Sequence, residues 1–429
     1  MSLPPSSDRD AQAERGGRQD WRIIATIFWI TSMVEGLGVS QVFAFLPSYL
    51  REMGVAPDDR LPFVGLFGSL IFVVGAPFVP LWGVWADKYS RKAVIVRSAV
   101  VEAVVFACVA LSREPWQLAL SVLLIGLQLG NTGVMLAGIR DVVPRHRLGT
   151  VIGIFGASGP IGFAVGPALG GVLIDGLDWS ISGVFWASCG LSIAAAALVW
   201  FGSKEVRPEV VPVGRVIDLA YGAVRGVLAD RAVRRIFAIY GVAFLANQMS
   251  RPYQPVIVEG IVGTGPGLAS AIGFVAGTAA LAGALAAPLG GVLGDRLGFR
   301  PVLVGALIGG AAASLAVTVA PGLDALALAV LAFTAFNGAV GAMVFGLLAT
   351  EVPPERRSAT LNLVYLPLYA AGVIGPAAGA AVASVAGAAG PFLLGAAVFL
   401  AGAIVVWFRV RPRPTERPPS EPLSAPGAR

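Results

Sequence analysis

The sequence predicts an all-α polytopic membrane protein with twelve transmembrane helices arranged as two six-helix pseudo-repeats. Three observations carry that expectation: composition, the placement of basic residues and an internal repeat. Of 429 residues, 56% are hydrophobic and only 13% are charged, with a mean hydropathy of +0.79. Soluble domains average about 25% charged residues, so this chain lacks the polar side chains to cover a globule in water. The 55 glycines and 30 prolines suit membrane helices, where small residues let backbones approach closely.

Each span follows from the length of an apolar run, since crossing a bilayer takes about 20 such residues. In the first half these runs fall at 23–46, 62–84, 94–112, 116–139, 149–174 and 180–202. In the second half they fall at 235–257, 268–293, 301–320, 324–349, 358–385 and 389–409. The uncharged stretch from Ser358 to Phe408 is long enough only for two helices, and Gly387 to Pro391 supplies the turn between them.

Orientation follows from the basic residues. When those near helix ends are counted with the nearer segment, 27 Lys and Arg lie on the N-terminal side and 4 on the other. Cytoplasmic loops carry such an excess, so both termini are expected in the cytoplasm and the chain in the cell membrane. One span more or fewer would scramble the alternation. The connection after Gly202 is the longest and carries seven basic residues through Arg235. The expected organisation is a cytoplasmic tail 1–22, a six-helix bundle 23–202, a cytoplasmic linker 203–234, a second bundle 235–410 and a disordered cytoplasmic tail 411–429. No small-residue cleavage pattern follows the first apolar run, so no cleaved leader is expected.

Three landmarks recur across the linker. Gly83, Asp87 and Lys92 return 208 residues later as Gly291, Asp295 and Arg300. Asp141, Pro144, Arg147 and Thr150 return at an offset of 210 as Glu351, Pro354, Arg357 and Thr360. Gly166, Pro167 and Gly170 return at 209 as Gly375, Pro376 and Gly379. One register held within two residues points to a tandem duplication. Parallel six-helix repeats are one way in which secondary transporters build a midplane site between two rocking halves.

The connection after the second span reads Gly83-Val-Trp-Ala-Asp87-Lys88-Tyr-Ser-Arg91-Lys92. Here the sequence resembles the major facilitator superfamily, whose signature is this Gly-x-x-x-Asp-x-x-x-Arg-Lys loop. A weaker copy runs through Gly291, Asp295 and Arg300, with Phe299 where the first has Arg91. The resemblance covers about residues 20 to 410 and implies the major facilitator fold. It also implies that these loop residues latch the cytoplasmic ends of the halves and tune the conformational switch. A solvated positive-inside turn is the alternative reading of the same residues.

The fifth span contains Gly162-Phe-Ala-Val-Gly166-Pro167-Ala-Leu-Gly170-Gly171. This pattern resembles the antiporter signature of the drug:proton antiporter branch, which implies export rather than uptake. Glycines at spacings of four also form a groove for close packing without directional meaning. Phe45-Leu46-Pro47-Ser48-Tyr49-Leu50 likewise resembles multidrug efflux members.

Glu35 lies near the middle of the first span. A charged acid there costs about 2.5–3.5 kcal/mol on insertion scales, so one retained there is expected to face a cavity or a partner. By resemblance to acids in this helix of some relatives, Glu35 is the expected proton-coupling carboxylate; a neutral, merely hydrogen-bonded acid is the alternative. Glu102 is the second choice, placed near the cytoplasmic boundary, where snorkelling or an ion pair would account for it. Arg251, Glu259 and Asp324 read as interfacial or gating charges near outer helix ends. The family often carries an arginine ahead of a Gln-Gly pair in the fourth span. Here Gly126-Leu127-Gln128-Leu129-Gly130-Asn131 lacks it, so either Glu35 works with Gln128 and Asn131 as neutral partners or coupling is weaker than in typical members.

The candidates for a substrate cavity are Gln41, Phe45, Gln128, Asn131, Asn247, Gln248, Asn337, Tyr365 and Tyr369. A few amides and aromatics in an apolar surround suit lipophilic or amphiphilic cargo better than sugars. Cys108 and Cys189 have no partner at ligand spacing, so neither a metal nor another cofactor is expected. No nucleophile, base or ligand constellation suggests an enzyme, and no Walker motif suggests an ATP-driven pump. The expected partners are a small-molecule substrate, protons and the lipid bilayer, with no nucleic acid and the chain a monomer. An uptake symporter or uniporter, and a non-transporting receptor or scaffold, are the competing readings.

Overall fold

A computed structural model describes residues 19–208, 211–351, 363 and 366–409. Pro354, Arg357, Thr360 and the candidate Tyr365 lie outside the described residues, as does nearly all of both expected tails. The first half contains α1 (Trp21–Glu52), α2 (Pro57–Lys88), α3 (Arg91–Leu111), α4 (Pro115–Ile125), α5 (Asn131–Val142), α6 (Leu148–Gly171) and α7 (Ile181–Gly202). A linker helix follows as α8 (Val216–Ala229). The second half contains α9 (Arg231–Ser250), α10 (Gln254–Val262), α11 (Leu268–Leu297), α12 (Phe299–Thr318), α13 (Leu323–Glu351), α14 (Leu366–Ala386) and α15 (Gly390–Arg409).

Among the described residues, eleven helical runs are long and apolar enough to cross a membrane. They coincide with eleven of the expected spans. The remaining span, expected at 235–257, is split between α9, a 3-10 turn at Arg251–Tyr253 and α10. Pro252 and Pro255 cause the break, because each lacks the N–H that a continuous helix would need. The expected fourth span is also not one helix. A 3-10 turn at Gly126–Gln128 and Gly130, whose φ of 95° suits a residue without Cβ, separate α4 from α5.

Lipid-facing surface is visible on individual helices. On α3 the exposed residues Val100, Val104 and Leu111 lie along one side, while Ile95, Ala99, Glu102 and Phe106 are buried on the other. An apolar exterior of this kind is stable in hydrocarbon and not in water. The chain is a multi-pass membrane protein.

The apolar core falls into three bodies. Near the basic face, Phe28, Ile95, Met135 and Ile139 belong to a cluster built from the first half. Phe237, Leu307, Met343 and Phe399 belong to a second, built from the other half together with Val227 of α8. Toward the opposite, distal face there is one shared cluster, in which Phe45, Phe67 and Phe106 join Tyr253, Ile272, Val330 and Phe392. The halves are thus fused at the distal face and have separate cores toward the basic face.

Polar contacts between the halves follow the same division. Glu259 pairs with Arg51 at 3.0 Å and Arg60 at 2.9 Å. The Tyr253 hydroxyl donates to the Leu61 carbonyl at 3.1 Å, and the Ser270 amide donates to Asp175 at 2.6 Å. Nearer mid-membrane, the Ser69 hydroxyl donates to the Val373 carbonyl at 2.8 Å. Small residues let the backbones meet: a Cβ on Gly273 of α11 would stand 2.5 Å from the Pro167 carbonyl oxygen and 3.0 Å from the Ala168 Cα. At the basic face, α8 lies against α2, with the Tyr221 hydroxyl donating to the Pro77 carbonyl at 3.0 Å and Lys88 to the Gly214 carbonyl at 2.6 Å.

Candidate functional site

The break in the fourth span organises the polar interior of the first half. Gly126 packs against Gly75 of α2 so closely that a Cβ on Gly126 would lie 2.6 Å from the Ile71 carbonyl oxygen and 3.2 Å from the Gly75 Cα. Leaving the helix there frees main-chain carbonyls, which inside a membrane must find donors. Two neighbouring side chains of α3 supply them. Arg97 donates to the Leu127 carbonyl at 2.8 Å and Ser98 to the Gln128 carbonyl at 2.7 Å. The Arg97 guanidinium also lies 3.8 Å above the Trp82 ring.

The restart of the helix places Asn131 in the first turn of α5, where its side-chain amide donates to the Glu35 carboxylate. Glu35 keeps partial exposure, whereas Asn131 is buried. Glu102 differs from the expectation. It lies in the middle of α3 rather than at a boundary, is 2% exposed, and accepts a hydrogen bond from Ser192 at 3.2 Å. No ion pair accounts for it among the described residues. Its other oxygen, the side-chain oxygens of Gln128 and Asn131, and Nε and Nη2 of Arg97 are all buried without a partner among the described residues. Glu35 lies within electrostatic reach of both Arg97 and Glu102 in this group.

The remaining cavity candidates separate. Gln41 is buried, donating to the Gly166 carbonyl at 3.2 Å and accepting from Ser188, so it joins α1 to α6 and α7. Phe45 has no exposure and packs against Gly170. Gln248 is buried against Gly375. Asn337 is buried and donates weakly to the Phe333 carbonyl at 3.5 Å. Asn247 is half-buried, and Tyr369 lies 6.3 Å, centroid to centroid, from Phe72 of the other half.

The loop after α2 is a dense ion-pair network. Arg91, 2% exposed, reaches Asp87 at 2.8 Å and Asp141 of α5 at 2.6 Å. Glu205, just beyond α7, accepts from the Ser90 hydroxyl and from the amides of Arg91 at 2.9 Å and Lys92 at 3.3 Å. A carboxylate at a helix N-terminus satisfies amides that have no partner within the helix. Lys92 donates to the Ser203 carbonyl at 2.7 Å. All these partners belong to the first half or its junction with the linker. Gly83 meets open space. In the second copy Arg300 stacks 4.8 Å from the Trp407 ring and donates to its carbonyl, Gly291 again has room for a Cβ, and Asp295 is exposed. Arg91→Gln should cost about 1–3 kcal/mol, the range for losing hydrogen bonds to charged groups and stranding their partners. A lowered melting temperature of the purified protein, rescued in part by Arg91→Lys, is the expected reading.

The glycine pattern of α6 faces two ways. A Cβ on Gly162 would collide with the Met33 carbonyl oxygen and lie 2.9 Å from the Leu37 amide; one on Gly166 would strike Ser40 and Leu37. Gly170 abuts Phe45. Gly171 turns instead to α11, where a Cβ would stand 2.7 Å from the Ala269 carbonyl oxygen. Pro167 contributes its carbonyl to the Gly273 contact across the halves. The pattern lets α6 wedge between α1 and α11.

Arg97 is not among the expected site residues, and Arg251 is expected only as an interfacial or gating charge. Their signal is in the sequence: they are the cations that fall inside expected spans away from the first and last residue.

Comparison with known proteins agrees with this architecture. The family model described as Major Facilitator Superfamily matches residues 28–257 and 236–427. The chain is 28% identical over 267 residues to the multidrug resistance protein MdtG of Salmonella typhi, covering 61% of this chain and 65% of that relative. It is 29% identical to MdtG of Citrobacter koseri, covering 61% and 64%. The chain thus spans just under two thirds of these relatives' length. Among solved structures, the nucleoside transporter NupG superposes with a TM-score of 0.74 at 14% identity, covering 90% of this chain and all of that one. The human organic anion transporter MFSD10 gives 0.67 at 18% identity, covering 91% and all of that chain. An inward-facing bacterial homolog of the human lysosomal transporter Spinster gives 0.69 at 14% identity, covering 92% and 96%. With the family model matched through both halves and the helical architecture shared, the chain belongs to the Major Facilitator Superfamily.

Proposed function

We propose that this protein is a transporter that exports small amphiphilic or lipophilic compounds in exchange for protons, by alternating access, with both termini in the cytoplasm. The observation that carries the reading is the Glu35 carboxylate, partly exposed at mid-membrane and held by Asn131 at the break in the fourth span. The relatedness to MdtG supports export of drug-like cargo.

In the proposed cycle Glu35 takes up a proton from the outside, the halves rock, and release of that proton inside accompanies cargo capture. Glu102 is the second carboxylate of the path. Arg97 takes the place of the missing fourth-span arginine, biasing Glu35 by its charge from the neighbouring helix. The separate cores near the basic face and the shared core at the distal face fit a state open to the cytoplasm. The Asp87–Arg91–Asp141 network and its weaker copy set the cytoplasmic ends, and the α6 glycine face lets α1 and α11 move past one another.

The test is expression in a pump-deficient host with dye-efflux measurement, with and without a proton uncoupler. Raised efflux that the uncoupler abolishes is expected. Accumulation equal to the empty vector, and indifferent to the uncoupler, would remove the reading for the compounds tried. Net uptake of a metabolite instead would favour a symporter.

A further inference from the structure

Arg251 has an unusual setting for a cation inside a membrane protein. It opens the 3-10 turn that interrupts the seventh span, and its guanidinium carbon lies 4.6 Å from the centroid of Phe43 on α1 and 4.5 Å from that of Phe163 on α6. A cation of the second half therefore lies over two aromatic rings of the first. Ring faces attract the guanidinium through their negative quadrupole but accept little from its N–H rim. None of its five N–H groups finds an oxygen among the described residues, and no acidic side chain stands against it.

The other partly buried cations of the interior contrast with it. Arg97 reaches the Leu127 carbonyl and the field of Glu35, while Arg51 and Arg60 share Glu259. Arg251, Phe43 and Phe163 are each half-buried, so this group borders accessible space rather than closed core. Asn247, one turn earlier on α9, is also half-buried and also without a side-chain partner among the described residues. A fork of donors set over two rings, with no oxygen partner among the described residues and an amide one turn away, suits a planar or trigonal anionic group.

We infer that Arg251, with Asn247 beside it and Phe43 and Phe163 around it, is a recognition site for the anionic group of an amphiphilic cargo. The class is a carboxylate, sulfonate or phosphate joined to an aromatic or aliphatic body. The anion takes the rim of the guanidinium and the body lies against the rings. Because the cation comes from one half and the rings from the other, cargo bound there touches both moving parts. The inference rests on the export reading and specifies its cargo.

The test uses the full chain in phosphatidylcholine nanodiscs and two fluorescent probes that share a body: anilinonaphthalene sulfonate and N-phenylnaphthylamine, which lacks the sulfonate. After subtraction of empty nanodiscs, Arg251→Gln is expected to weaken sulfonate binding about ten- to a hundredfold, as loss of a charge-assisted hydrogen bond implies. Binding of the neutral probe should change by less than about twofold on the same scale. Arg251→Lys, which keeps the charge but loses the fork, should fall between, and guards against a misfolded Gln variant. Equal losses for both probes, unchanged sulfonate binding, or no sulfonate binding by the wild type would overturn the site. Proteoliposome transport separates the two ideas. Pumping of cationic dyes without Arg251-dependent sulfonate binding sinks the site and leaves export standing. Arg251-dependent binding without pumping of either probe, or of any cationic dye, sinks export and leaves the site.

Discussion

Glu35→Gln should lower proton-driven cargo accumulation in everted vesicles on the order of a hundredfold, the scale for removing a positioned proton-transfer group. Glutamine has nearly the same shape and can still accept the hydrogen bond from Asn131. The position of α1 against α6, set by Gly162 and Gly166, involves none of the carboxylate atoms. Folding should therefore be little changed, and the lost property is the ability to exchange a proton. Cargo exchange across the membrane without a proton gradient should persist, because rocking of the halves does not require the charge to cycle. Glu102→Gln added to Glu35→Gln should bring little further loss, since two members of one proton path are not additive. Wild-type accumulation by the Glu35 variant would remove proton coupling through this residue.

Gly273→Val should shift the conformational equilibrium rather than unfold the protein. A Cβ at that position meets the Pro167 carbonyl and Ala168, both on the opposite half, so the clash exists only while the distal ends are closed. Overpacking costs about 1–3 kcal/mol. Applied to one of two states, that amounts to about a five- to 150-fold change in their ratio, in favour of the state with the distal face open. Labelling rates of single cysteines placed along the distal seam, for example at Ala269, which is buried against Gly171, should rise by a comparable factor. Gly162→Val makes the contrasting control. Its clash is with α1 of its own half and is present in any state that keeps that half intact, so it should lower the melting temperature without redistributing the labelling. If both variants only lower stability, the Gly273 contact is not part of a moving seam.

The positions of the helices were legible because length and polarity are set by the bilayer, and the basic residues record which side each loop faces. The rotation of each helix was not. In a membrane both the lipid and the interior are apolar, so the sequence has little amphipathic contrast to show which face turns inward. Gln41 and Phe45 therefore read as cavity residues when both are spent on joining helices. Breaks were illegible for a related reason: glycine and proline are common in unbroken membrane helices, and Gly126, Gly130 and Pro252 do not differ from their neighbours in type. Glu102 was misplaced by counting from an apolar boundary, whereas α3 begins at Arg91, which is buried by its pairing with Asp87 and Asp141. Glu35 stood out because its charge is unmistakable in its run. Arg97 and Arg251 carry the same kind of signal with the opposite sign.

The shared distal cluster bears on how such a chain could arise. Phe45, Phe67 and Phe106 from one half and Tyr253, Ile272 and Phe392 from the other belong to one buried cluster that runs across both halves. A protein with only six of these helices would leave the part of that cluster at the seam unmatched. It would have to be covered by a second copy, related by a two-fold axis along the membrane normal. Joining two such copies through a linker would make the meeting permanent. Each copy could then diverge, one keeping Glu35 and the full charged loop, the other supplying Arg251.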